Sequence, residues 1–258
     1  MNKNKTKALV VLSGGQDSTT CLFWASERFD EVHAISFDYG QKHDREVLCA
    51  EYIAELAGAK THKIVYVPGI LESTSPLLDN SVELEQYENA EQMEQVIGNR
   101  IEKTFVPMRN MLFLTLAMNR AVVLDCDAVV TGICQDDGTN YPDCTELFRE
   151  TFEIAANLAL GNYIIGTKDI HVLAPLMDLS KKETVLLANS LDGCMNALAY
   201  SHTSYDGKYP PVDMNHANVL RAKGFEDAGL PDPLVVRAWE EGLMELPKTG
   251  NYKGLADA

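Results

Sequence analysis

The chain has 258 residues, 22 of them basic and 38 acidic, for a formal charge of −16, and 46% are apolar. That is no disordered composition, and the length fits one large α/β domain, or one with a modest extension, with ample core to fold unaided. A protein that grips a nucleic-acid backbone usually carries a basic face, so the acidity argues for a small-molecule substrate and against direct nucleic-acid binding.

Residues 1–7 are basic, and the apolar run that follows, Ala8-Leu9-Val10-Val11-Leu12, is too short for a signal-peptide core. No stretch approaches the ~18 apolar residues that cross a bilayer. A cytoplasmic protein with no membrane partner is expected. Six cysteines (Cys21, Cys49, Cys126, Cys134, Cys144, Cys194) include no C-x-x-C pair, which reads as buried thiols rather than disulfides or a metal set.

Residues 7–12 form a short β-branched run stopped by glycines, hence a buried strand. A helix over 17–29 follows, then a strand over 31–37, a helix over 43–56 closed by Gly58, and a strand over 61–67 stopped by Pro68-Gly69. Strands alternating with helices at this spacing imply parallel pairing with crossover helices. Residues 68–104 break the rhythm: they are acidic and polar, with one helix over 90–102, and read as a solvated excursion or lid. The rhythm resumes with a helix over 110–124, a strand over 128–133, a helix over 146–158 and a strand over 169–173. Residues 179–189 form a further helix capped by Ser180, and the last sixty residues hold many turn formers and a helix over 217–228. The expected architecture is a doubly wound parallel α/β sheet over residues 1–190, with the polar insertion at 68–104 and a C-terminal helical and loop extension over 191–258.

The most informative segment is Ser13-Gly14-Gly15-Gln16-Asp17-Ser18, between the first strand and the first helix. Two glycines let backbone N–H groups approach an anion without a Cβ in the way, and the helix aims its positive end at the same point. Ser13, Ser18 and Thr19 add hydroxyls. Asp17 is unexpected beside phosphate unless it caps the helix or helps hold Mg²⁺. A plain strand-to-helix turn would also need a capping Asp, but the C-terminal end of the first strand of an α/β sheet is where ligands bind. Leu12 to Thr19, with Gly132 at the end of a later strand, are therefore the expected ATP-binding residues. Neither a Walker A loop nor a G-x-G-x-x-G motif is present.

S-G-G-x-D-S at this position resembles the pyrophosphate loop of the ATP pyrophosphatases, whose fold is adenine nucleotide α hydrolase-like. Phe37-Asp38-Tyr39-Gly40-Gln41-Lys42-His43, Val106-Pro107-Met108-Arg109-Asn110, Tyr141-Pro142-Asp143-Cys144, the run from Pro175 to Glu183, and Leu220-Arg221-Ala222-Lys223-Gly224-Phe225 follow in order. Together these segments resemble the QueC family, the 7-cyano-7-deazaguanine synthases, over essentially the whole chain. The resemblance implies an ATP-dependent carbon–nitrogen ligase using Mg²⁺, with 7-carboxy-7-deazaguanine and ammonia as substrates and a homodimer as the assembly. Arg109 is the expected partner of the substrate carboxylate or the α-phosphate, Lys181 balances pyrophosphate charge, and Asp143 and Asp136, with Asp137, hold Mg²⁺ or read the amino-pyrimidine edge. Tyr39 and Asn110 complete the substrate-binding set, and His43 is a candidate proton shuttle. Plainer readings stand beside these: Arg109 and Lys181 as surface charges, Asp143 as a helix cap, His43 as a surface histidine.

One departure is evident. QueC proteins usually carry four zinc-binding cysteines before the Leu-Arg-Ala-Lys-Gly segment, and here Ser204, Val212, Asn215 and Asn218 take those positions. A closed tetrahedral zinc site is not expected, and Asp213, His216 and His202 would make only a weak substitute. Three readings follow: a zinc-free synthase making the nitrile, a ligase that stops at the amide or passes the activated acid to another amine such as one on a protein partner, and a non-catalytic sensor. The intact phosphate loop and Arg109 argue against the sensor.

Overall fold

The structure, a computed structural model, describes residues 5–41, 45–79, 81–134, 140–202, 204 and 207–255. Five strands, β1 (Lys7–Val11), β2 (Glu31–Asp38), β3 (Thr61–Tyr66), β4 (Ala128–Val130) and β5 (His171–Leu173), pair in parallel in the order β3-β2-β1-β4-β5. The expected doubly wound α/β sheet is thus present. Successive side chains of β1 point to opposite faces, and both faces are covered. Ala8, Val10 and Leu12 pack on α1 (Gln16–Ser26) and α2 (Arg45–Leu56), whereas Leu9 packs with Leu114 of α4 (Arg109–Leu124).

Strand order reverses between β1 and β4, so the crevice beyond their carboxyl ends is the topological switch point. The phosphate loop leaves β1 there, and Thr131-Gly132 leaves β4 beside it. A Cβ at Gly132 would stand 3.1 Å from the Ser18 amide nitrogen and 3.2 Å from the Asp17 carbonyl carbon, so only glycine lets the two segments close.

Several boundaries differ from expectation. The strand over 128–133 is only Ala128–Val130, because the chain turns into the crevice wall. The helix over 90–102 is α3 (Ala90–Ile97), stopped by Gly98 at φ 54°. Tyr141-Pro142-Asp143-Cys144 first makes a 3₁₀ turn (Pro142–Cys144), and Thr145 then caps α5 (Glu146–Leu160). Among the described residues, α6 (Asn162–Ile165) was not forecast, and α8 (Cys194–Leu198) and α10 (Pro233–Glu240) lie in the helical extension expected over 191–258 without a placement of their own. Between them lie α7 (Lys181–Ser190), with Ser180 and Glu183 forming a capping box, and α9 (His216–Ala228). Cys194, Ala197, Leu198 and Phe225 share one buried cluster with β1 and α1, so the extension expected over 191–258 contributes to the same core as the sheet.

The insertion at 68–104 packs too. Tyr87, Met93 and Ile97 bury against Val219 of α9. Its acidic run is not simply a solvated face. Glu85 takes an ion pair from Arg100, another from Lys103 at 2.8 Å and a hydrogen bond from the Tyr87 hydroxyl at 2.9 Å. Burial alone would raise the Glu85 carboxyl; these donors instead hold it at about 2.

Candidate active site

A cavity of about 330 Å³ occupies the switch-point crevice, a size suited to a small molecule. Leu12, Ser13, Gly15, Gln16, Asp17 and Ser18 form its floor. Inside the loop the hydroxyls lock the backbone. The Ser13 and Ser18 Oγ atoms lie 3.0 Å apart, the Ser13 N–H donates to Ser18 Oγ at 3.2 Å, and Thr19 Oγ1 donates to the Gly15 carbonyl at 2.7 Å. Thr19 is fully buried, so it shapes the loop from behind. Gly14 has φ 89°, and its carbonyl accepts the His202 N–H at 2.8 Å. Gly15 caps α1 without a side-chain hydrogen bond, which leaves the first-turn N–H groups directed at the cavity. Gln16 is buried, lines the cavity, and its Nε2 has no protein partner. Such an orphaned donor fits a site that receives an oxygen-rich ligand.

Lys181, first residue of α7, reaches the cavity from the far side of the chain. Its Nζ lies 3.0 Å from Asp17 Oδ2 and 3.6 Å from Cys134 Sγ. The two ions are 164 residues apart in sequence and meet over the loop. Gly224 makes this possible, because a Cβ there would stand 3.1 Å from both Cβ and the carbonyl oxygen of Lys181.

The other wall holds Arg109 and Asn110, the first two residues of α4, with Met108 capping that helix in the left-handed conformation at φ 66°. Asn110 Nδ2 donates to the Asp143 carbonyl at 3.3 Å. Asp143 itself sits behind this wall rather than on the cavity surface. Burial pushes its carboxyl up, while Arg109 and the Asn110 N–H pull it down. Its geometry is that of a carboxylate bracing the start of α4 and the Arg109 guanidinium. Phe37 and Phe113 stack with centroids 4.3 Å apart, and Tyr39 meets Phe113 edge-on at 5.3 Å, giving a flat apolar wall suited to a heterocycle.

The fold therefore gathers Leu12, Ser13, Gly15, Gln16, Asp17, Ser18, Tyr39, Arg109, Asn110, Gly132 and Lys181 around one cavity, with Gly14, Thr19 and Asp143 supporting them from outside it. Asp136, Asp137 and His43 lie outside the described residues. Sequence reasoning did not single out Tyr141, Phe113 and Arg221, which also line the cavity, and weighed His202 and His216 there only as metal ligands. Tyr141 and Arg221 stood within motifs. His202 carried no signal, because it touches the loop through its backbone.

The family model of queuosine biosynthesis protein QueC matches residues 7–229. The chain belongs to the QueC family. The 7-cyano-7-deazaguanine synthase of Chromobacterium violaceum is 43% identical over 91% of this chain and 95% of its own length. The synthase of Laribacter hongkongensis is 46% identical over 89% and 94%. Among solved structures, the U34-tRNA thiolase NcsA from Methanococcus maripaludis matches with a TM-score of 0.42 at 18% identity, covering 95% of this chain and 75% of the thiolase. As a QueC family member the chain is an ATP-dependent enzyme.

The zinc that the QueC family implies does not fit the residues here. Ser204, Asn215 and Asn218 offer no thiolate or imidazole, and Val212 is 63% exposed and apolar. Of the substitutes, the Asp213 carboxylate is taken by hydrogen bonds, and His202 Nε2 donates to the Ser204 carbonyl at 2.7 Å. His216 tilts over Tyr141 with centroids 6.1 Å apart. Among the described residues no group of three or more His, Cys, Asp or Glu could hold a metal. Mg²⁺ is a different case, since it binds through one or two carboxylates plus phosphate oxygens, and Asp17 lines the cavity beside the loop.

Proposed function

We propose that this chain makes 7-cyano-7-deazaguanine from 7-carboxy-7-deazaguanine, ammonia and ATP, passing through the amide. The observation that carries the reading is the meeting of the Ser13 to Ser18 loop, Lys181 and Arg109 around one cavity, in a chain over 40% identical to synthases across nearly their whole length.

A carboxylate is a poor electrophile, and an amide oxygen is a worse leaving group. Adenylation repairs both. The substrate carboxylate attacks the α-phosphorus and pyrophosphate leaves; ammonia then displaces AMP to form the amide. The amide oxygen repeats the attack on a second ATP, and loss of AMP with a proton leaves the nitrile. The phosphate loop's N–H groups and Lys181 take up the charge on the departing pyrophosphate. Arg109, with its planar fork, orients the carboxylate or the α-phosphate, and the Phe113 wall seats a ring. Asp17 would hold Mg²⁺, whose chemistry is to neutralise charge on the triphosphate.

The site of action is proposed to be the cytoplasm and the assembly a homodimer, which light scattering reads directly. Among the described residues no helix is long and apolar enough to cross a membrane. A second reading, in which the reaction stops at the amide or the acyl group passes to another amine such as one on a protein, is favoured by the altered 204–218 segment alone.

Mass spectrometry of products from pure protein, ATP, Mg²⁺, ammonium and 7-carboxy-7-deazaguanine tests the proposal. The expected result is two AMP per nitrile, with Lys181→Met lowering kcat by about 10² or more. Amide as the end product, or AMP without free nitrile, would turn the assignment to the second reading; no AMP would defeat both.

A further inference from the structure

The positions where zinc cysteines would stand are not vacant of structure. The Asp213 carboxylate accepts the Ser204 hydroxyl at 2.6 Å, the Asn218 amide at 2.5 Å and the Asn215 amide. The Asn215 amide also reaches Ser204 Oγ at 3.3 Å, and the second Asn218 amide proton goes to the Asp213 carbonyl at 3.1 Å. Ser204 and Asn215 are 1% exposed. Three neutral donors thus close round one anion, the reverse of a metal cation gathered by thiolates.

This knot is tied to the phosphate loop by two short steps. His202 Nε2 donates to the Ser204 carbonyl at 2.7 Å, and the His202 N–H donates to the Gly14 carbonyl at 2.8 Å. In a trans peptide the carbonyl oxygen and the next N–H point to opposite sides. Holding the Gly14 carbonyl toward His202 therefore turns the Gly15 N–H toward Ser13 Oγ and the cavity, where the N–H to Oγ distance is 3.3 Å. A reversed peptide would aim a carbonyl oxygen at a bound anion.

We infer that Asp213 is a positioning residue for the phosphate loop: its carboxylate ties Ser204, Asn215 and Asn218 together without a metal ion, and so holds the His202 peptide against Gly14. The inference rests on the reading of the cavity as an ATP site. The insertion backs the segment that carries Asp213, since the Tyr87 N–H donates to the Met214 carbonyl at 2.9 Å and the Met214 N–H donates to Gln86 Oε1 at 2.8 Å.

Calorimetric titration of the full chain with Mg²⁺–ATP, beside separate KM values for ATP and 7-carboxy-7-deazaguanine, tests the assignment. Asp213→Ala is expected to weaken ATP about tenfold, the scale of one well-placed hydrogen bond to a charged ligand, while KM for the deazaguanine acid stays within about twofold. Asp213→Asn keeps one acceptor oxygen and falls between. Ile53→Val, in the core far from the knot, lowers the melting temperature without moving ATP affinity, which separates position from stability. If Asp213→Ala does not fold, Ser204→Ala, which removes one of the three donors, is expected to weaken ATP about threefold. Wild-type ATP affinity in Asp213→Ala, or in Ser204→Ala where that variant stands in, would overturn the inference. So would one equivalent of zinc in the purified wild type whose removal by a chelator abolishes ATP binding. A wild type that binds no ATP sinks the ATP reading, and the inference with it.

Discussion

Two ties hold residues 198–202 and Ser204 beside the phosphate loop, and they are built oppositely. On one side, Arg221 donates to Asp232 at 2.6 and 2.8 Å, to Ser201 Oγ at 2.7 Å and to the Leu198 carbonyl at 3.2 Å. Both side chains of that ion pair are 3% exposed. On the other side, the Asp213 carboxylate is only half-buried, at the outer edge of a knot whose donors are buried, between Val212 at 63% and Met214 at 43% exposure. A dry ion pair cannot lose one member without stranding the other charge, so it is bound up with folding. A half-wet carboxylate can rehydrate when its donors go, so its loss is felt in position more than in stability.

The largest expected effect tests the dry tie. Arg221→Met leaves Asp232 buried and unpaired, and urea denaturation should show a loss of about 3–5 kcal/mol. Arg221→Met with Asp232→Leu should recover most of it, short of the helix cap that Asp232 gives Leu234 at 2.9 Å. A single-variant loss no larger than that of Asp213→Ala would erase the contrast. Next comes Gly224→Val, which drives a side chain into Lys181 where α9 crosses α7. It is expected to cost about 1–3 kcal/mol and to lower kcat as Lys181 leaves Asp17, with kcat and melting temperature measured together.

The smallest effect sharpens the wet side. Glu85 anchors the insertion that backs the Asp213 loop, and its carboxyl is lowered from an ordinary 4.5 to about 2. A lowered folded-state value stabilises above the unfolded value and is lost as pH falls. Wild type should exceed Glu85→Gln by about 1 kcal/mol at neutral pH. The gap should hold down to pH 4.5 and close toward pH 2. A gap that persists at pH 2 would mean that shape, not charge, anchors the insertion.

The sequence by itself determined the parts in which neighbours along the chain do the work. β1, the glycine turn, α1 and the Ser180 cap of α7 follow from strand run, left-handed glycine and capping serine, each a local rule. The order of motifs determined the family. Only the tertiary structure decided that Asp17 meets Lys181, that Asp143 braces α4 from outside the cavity, and that His202 steers a peptide in the phosphate loop. Those contacts join residues remote in sequence through a backbone amide or an ordinary polar side chain, and neither leaves a periodicity to read. The 204–218 segment shows the same limit. Its serine, asparagines and aspartate read from sequence as an absent metal site, and the fold makes of them a closed hydrogen-bond knot, because Ser204 is brought to the same Asp213 carboxylate that the Asn215 and Asn218 amides reach from the start of α9.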